Sequence, residues 1–200
     1  MQDTKAKSWW KRLLFSATLE NKNKSHKIAY IAVTTALCVV MNMFFEFKLA
    51  QTQFSFTLVA SMLAGVIIGP LFGFTACFLG DLVGFLYHNS GYAYMPWIGV
   101  AMGLAAALTG LIVNGLPLKG GVGTGIKLAL ACAATFAVCT VAVNTTAFWL
   151  LYAPKVEYTT YLYSRLFLQG QIYNSLVNYA LFCIAVPVLG RIKPLKITLY

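Results

Sequence analysis

The stretch YLYSRLFLQGQIYNSLVNYALFCIAVPVLGR (161–191) is apolar enough to cross a bilayer, yet it carries Arg165, Gln169, Gln171, Asn174 and Asn178. An arginine inside a membrane segment costs several kcal/mol unless it pairs, reaches the interface or faces water. Its planar fork of donors also suits a carboxylate held through two parallel hydrogen bonds. An Arg165–Asp81 or Arg165–Glu157 pair, or snorkelling to the headgroups, would accommodate the arginine without any ligand.

Other polar and aromatic residues fall at the same predicted depth or on the adjoining loops: Asp81, His88, Asn89, Tyr92, Tyr94, Trp97, Asn144, Trp149 and Tyr161. A few convergent polar groups among aromatic walls describe a binding site better than a reaction centre. Enzyme chemistry is poorly supplied. The two histidines, His26 and His88, stand apart from any carboxylate at metal-ligand spacing, and no Ser-His-Asp set shares one depth. KGGVGTGIK (119–127) places Gly120 and Gly125 at phosphate-loop spacing, but Ile126 and Lys127 stand where the lysine and hydroxyl should be. It reads as a flexible inner turn, so any ATP must be used by another chain. Cys38, Cys77, Cys132, Cys139 and Cys183 all sit in apolar runs without a CxxC motif and read as small core residues, with no metal site.

The elements that must position these groups follow from composition. Of 200 residues, 60% are hydrophobic and only 10% charged, with a mean hydropathy of +0.74. That is too few charges to cover a water-facing surface. The chain reads as an all-α membrane protein, a single bundle of six transmembrane helices near 28–45, 54–69, 71–87, 96–114, 126–152 and 162–189. The net charge of +10 is segregated, with seven of the 15 basic residues in 1–27 and Arg191, Lys193 and Lys196 near the end. That distribution suits an inner membrane surface and excludes a nucleic-acid groove. It places both termini in the cytoplasm, with a basic N-terminal segment 1–27, the transmembrane domain 28–190 and a basic tail 191–200. No cleavage site follows the first apolar run, so no signal peptide is expected. Within SWWKRLLFSATLE, the spacing of Trp9, Trp10, Leu13, Leu14 and Ala17 predicts a short amphipathic helix on the inner surface. Gly69-Pro70 predicts a tight inner hairpin. Small residues recur at helical spacing (Gly65, Gly69, Gly73; Gly80, Gly84; Gly99, Gly103) and predict close helix packing in the bundle. The stripe Ala29, Ala32, Ala36 fits either internal packing or an exposed docking face.

Together, the basic N-terminus, AYIAVTTA opening the first span and GPLFGFTACFLGDLVGFLYHNSGYAYMPW resemble the substrate-binding S component of energy-coupling-factor (ECF) vitamin transporters. VNTTAFWLLYAP (143–154) followed by YLYSRLFLQGQ (161–171) resembles the folate family within that group, and the similarity covers roughly residues 12–192. The resemblance implies a multi-pass protein of a prokaryotic plasma membrane that binds a vitamin-like molecule, a folate, in an outward-facing pocket closed by the loop after the first span. It implies docking through Ala29, Ala32 and Ala36 onto a transmembrane coupling protein carried by two ATPase subunits. Those subunits use the ATP, and this chain holds no cofactor. Arg165, Asn144, Gln169 and Asp81 become candidate ligand contacts, with Trp97 and Tyr92 as stacking surfaces for a flat ring. Tyr94-Met95-Pro96-Trp97 replaces an expected Phe-Pro-Gly-Phe-like run, which leaves another vitamin or a flat heterocycle such as a queuosine precursor open. A self-sufficient transporter or channel and a non-transporting scaffold are the rival classes.

Overall fold

Hydrocarbon offers backbone polar groups no partner, so apolar segments must satisfy them internally, as helices do. The computed structural model describes residues 15–20, 22–49, 52–87, 93–118 and 120–191. Its elements are α1 (Ala17–Glu20), α2 (Lys24–Phe44), β1 (Glu46–Leu49), β2 (Thr52–Ser55), α3 (Thr57–Ile68), α4 (Pro70–Tyr87) and α5 (Pro96–Gly115). A long helix α6 (Gly120–Tyr152), then α7 (Tyr158–Tyr163) and α8 (Gln171–Gly190) complete the described chain. Among the described residues, five helices (α2, α4, α5, α6 and α8) are long and apolar enough to cross a membrane.

The sixth expected span, 54–69, divides. Its first residues close an antiparallel hairpin, with Glu46 opposite Ser55 and Leu49 opposite Thr52. The remainder forms α3, whose 12 residues reach only roughly 18 Å at 1.5 Å each. That helix is apolar all round because it is buried all round: Met62, Val66 and Ile68 are inaccessible, and α2, α4, α5 and α8 pack about it.

At Gly65 three helices converge. A Cβ there would lie inside the Ala106 carbonyl of α5, Gly73 of α4 packs against the Gly65 backbone, and a Cβ on Gly110 would stand 2.6 Å from the Gly65 oxygen. The glycine stripes therefore pack the bundle, as predicted. Gly80 and Gly84 likewise admit Cys38 and Asn42 of α2 against α4. The opposite face of α2 is bare, leaving Ala29, Ala32 and Ala36 exposed beside Ile28 and Val33.

Three expectations are corrected. The glycine-rich stretch is not a flexible turn over its described residues 120–127: α6 begins at Gly120, and Thr124 Oγ1 donates to the Gly120 carbonyl inside its first turns. The span 162–189 is not continuous, because Gly170 adopts φ 71° and separates α7 from α8. That left-handed conformation is one glycine takes readily. Cys183 is exposed rather than core, whereas Cys38, Cys77 and Cys139 are buried. Most of the expected amphipathic helix, including Trp9, Trp10, Leu13 and Leu14, and the tail beyond Arg191 lie outside the described residues. Residues 15–20 clamp the Gly69–Pro70 end of the bundle. Ser16 donates through its amide to Ile68 O (3.3 Å), Leu19 is fully buried, and Phe15 stacks on Phe72 at 5.0 Å.

Candidate ligand-binding site

The opposite end, which carries the hairpin, is built differently. α6 is α-helical to Thr135, π-helical over Phe136–Thr145 and α-helical again from Thr146. The hydroxyls follow the wider pitch, with Thr145 Oγ1 donating to the Thr140 carbonyl five residues back at 2.7 Å. α7 runs on as a second π-helical turn, Ser164–Leu168. Such turns interrupt regular packing and re-aim side chains, often at functional sites. One carries Asn144, the other Arg165.

Trp149 Nε1 donates to Val156 O at 2.7 Å and packs edge-on against Tyr158, folding α7 back over the end of α6. This brings the Arg165 guanidinium over the Phe148 ring, 4.1 Å from its centre. Trp97, in the first turn of α5, meets the same ring edge-on at 5.9 Å, and Tyr152 stacks beside it at 5.8 Å. Stacking on an aromatic face gives the cation some compensation but leaves its Nε–H without a hydrogen-bond partner among the described residues.

Neither carboxylate considered as a partner reaches Arg165. Asp81 accepts from Asn42 Nδ2 at 3.1 Å and from the Tyr94 hydroxyl at 3.0 Å, tying α2 and α4 to the segment before α5. Burial, then the adjacent Asp81 charge, push the Tyr94 phenol up to about 12, so it stays a donor at neutral pH. Glu157 accepts from Thr159 at 2.8 Å. Four buried side-chain polar atoms find no hydrogen-bond partner among the described residues: Trp97 Nε1, Asn144 Oδ1, Arg165 Nε and Ser175 Oγ. Leaving such a group unsatisfied costs about 1–3 kcal/mol, and native folds rarely tolerate it without a reason.

Below the aromatic rim lies a cavity of about 40 Å³ between α3, α5, α6 and α8. Its polar lining includes Ser55, Thr57, Thr140, Asn144, Gln171 and Asn174. Of the sequence candidates, Arg165, Trp97 and Asn144 thus gather at one end. Asp81 is engaged elsewhere, Gln169 points to the exterior, and Tyr92 lies outside the described residues. Gln171, Asn174, Thr140 and Phe148 were missed as site residues, although the first two stood in the stretch that raised the question. The break at Gly170 restarts the helical phase, which turns Gln171 and Asn174 inward instead of Gln169.

A family model described as the ECF-type riboflavin transporter, S component, matches residues 22–194. Among solved structures, the crystal structure of FolT bound with folic acid is similar over 84% of this chain and 93% of that one, with a TM-score of 0.64 and 22% identity. No curated protein sequence matches the chain. The bundle and the family model agree, and this chain belongs to the ECF-type riboflavin transporter S components, membrane-integral transport subunits rather than enzymes.

Proposed function

We propose that the chain is the substrate-binding subunit of an ATP-driven ECF vitamin importer in the cell membrane, and that it binds a flat heterocycle bearing an anionic group, with a folate the leading example. The observation that carries this reading is the set of buried polar atoms of Trp97, Asn144 and Arg165 at one end of the bundle that find no partner among the described residues, with Asp81 and Glu157 both engaged away from Arg165. Amides and hydroxyls of Asn144, Asn174 and Thr57 at the cavity offer alternating donors and acceptors to a ring edge. Above them Phe148 and Trp97 offer ring faces, and Arg165 takes a carboxylate. A drug-sized ligand needs ~300–1,000 Å³, so the rim and hairpin must part to admit it.

The bare stripe of Ala29, Ala32 and Ala36 supports docking of α2 onto a transmembrane coupling protein that carries the two ATPases. Riboflavin is the second reading, favoured by the family model over 22–194. Titrating the purified chain with folic acid and with riboflavin, followed by tryptophan fluorescence, separates the two. The expected result is folic acid binding that weakens about tenfold in Arg165→Ala, or ~1.4 kcal/mol. Tight riboflavin binding that ignores the substitution would transfer the site to a neutral flavin, and binding of neither would overturn the reading.

A further inference from the structure

The hairpin 46–55 has only two strands, and an isolated two-stranded ribbon is marginal in water, so its roots must fix its position. One root is local: the Phe56 amide donates to Phe45 O at 3.2 Å. The other reaches across the bundle to α8. Asn178, fully buried, donates through Nδ2 to Ser55 O (2.8 Å), to Asn174 O (2.8 Å) and to Asn174 Oδ1 (3.1 Å). Its Oδ1 accepts from the Val59 amide at 3.0 Å. Asn174 Oδ1 in turn accepts from the Ser55 amide at 3.3 Å.

These bonds grip both sides of Phe56. Ser55 ends β2, and Val59 lies in the first turn of α3, where four amides lack intrahelical partners. Ser55 Oγ accepts one of them, from Thr57, at 3.2 Å, and Asn178 accepts another. Asn178 is not among the residues lining the cavity, but Ser55 and Asn174 are. The amide pair therefore joins the root of the hairpin to the wall of the cavity.

We infer that Asn178 is a positioning residue that holds the hairpin over the binding cavity, acting through Ser55 and through Asn174 in the cavity wall. Its part in ligand retention rests on the proposed function; the tether itself does not. Ligand held beneath the hairpin leaves only when this root loosens, so the residue governs dissociation more than association.

Asn178→Asp tests this, because it keeps an acceptor for Val59 while replacing the donor to Ser55 O with a repelling oxygen. Hydrogen exchange of the full-length purified chain should quicken roughly tenfold in 46–55 and remain unchanged in α4 and α5. Whichever of folic acid and riboflavin the wild type binds should dissociate roughly fivefold faster, with association little changed. Should Asn178→Asp fail to fold, Ser55→Pro removes the amide given to Asn174 together with the Ser55 Oγ that caps Thr57, and should loosen the same segment. Unchanged exchange in the hairpin, equal quickening throughout the bundle, or a looser hairpin with unaltered dissociation would each overturn the inference. A wild type that binds neither compound would overturn the proposed function instead, and the exchange pattern would still decide the tether.

Discussion

Where α3, α4 and α5 meet, Gly65, Gly73 and Gly110 bring backbones into contact and leave no room for a methyl group. Across the bundle, at the hairpin end, the chain uses large rings, two π-helical turns and polar atoms without partners. The first region is satisfied and close-packed, as interhelical contacts in lipid must be when no hydrophobic force drives them. The second retains unmet hydrogen-bonding capacity. The contrast separates the residues that pack the bundle from those left available to a ligand, with a close-packed glycine junction at one end and polar atoms unpartnered among the described residues at the other.

The sharpest way to break that contrast is Gly65→Val. Its Cβ would overlap the Ala106 carbonyl, a backbone atom that cannot rotate away. Overpacking of this kind costs about 3 kcal/mol or more, and the expected outcome is no monodisperse peak on size exclusion in detergent. A folded variant with normal melting would show that the junction is softer than its geometry. Next in size is Asn42→Leu, which deprives Asp81 of its 3.1 Å donor from α2 and leaves Tyr94 alone to satisfy it. A loss of about 1–3 kcal/mol is expected, read as a lower melting temperature with ligand affinity kept, because Asp81 has no bond to the Arg165 cluster. A loss of affinity with stability intact would place Asp81 in the site after all.

The platform was legible in the sequence, and the site only partly so. Spans 71–87 and 96–114 match α4 and α5 to within a residue because unbroken apolar runs and glycine spacing encode both length and contact face. Arg165, Asn144 and Trp97 could be singled out since a polar group in an apolar run demands compensation. Hydropathy carries no record of φ, however, so nothing in FLQGQIY distinguishes Gly170 from a glycine in a continuing helix. Without that break, predicted depth along one continuous span selects Gln169, nearest Arg165, over Gln171 and Asn174. π-helical turns are equally silent, because they change which residue faces inward without changing composition. Asn178 shows the converse ambiguity: its residue type announces a polar task, and only the fold reveals that the task is holding Ser55 and Val59.

Arg165→Ala sharpens the comparison from the other side. Breaking an ion pair destabilises because it strands the partner charge, and neither Asp81 nor Glu157 is paired with Arg165 to be stranded. The ligand-free variant is therefore expected to melt at or slightly above the wild-type temperature, by no more than about 1 kcal/mol, even as folic acid binding weakens. A marked drop in melting temperature would make the Phe148 stack structural and close the distinction between the two regions.

The smallest effect on the chain itself belongs to Ala32→Leu. The residue is exposed on the bare face of α2, where lipid accepts a larger apolar side chain as readily as a small one. Stability should stay within about 0.5 kcal/mol, and ligand affinity should not move, because α2 contributes nothing to the cavity lining. What should fail is close approach of another helix: leucine lifts a partner off a stripe that only small residues keep flat. Co-purification of the ATPase subunits with a tagged chain reads this directly. Full recovery of those subunits would leave Ala29, Ala32 and Ala36 as lipid-facing residues and require a docking face elsewhere, while their loss from a stable, ligand-competent chain would assign α2 a third task, separate from both packing and recognition.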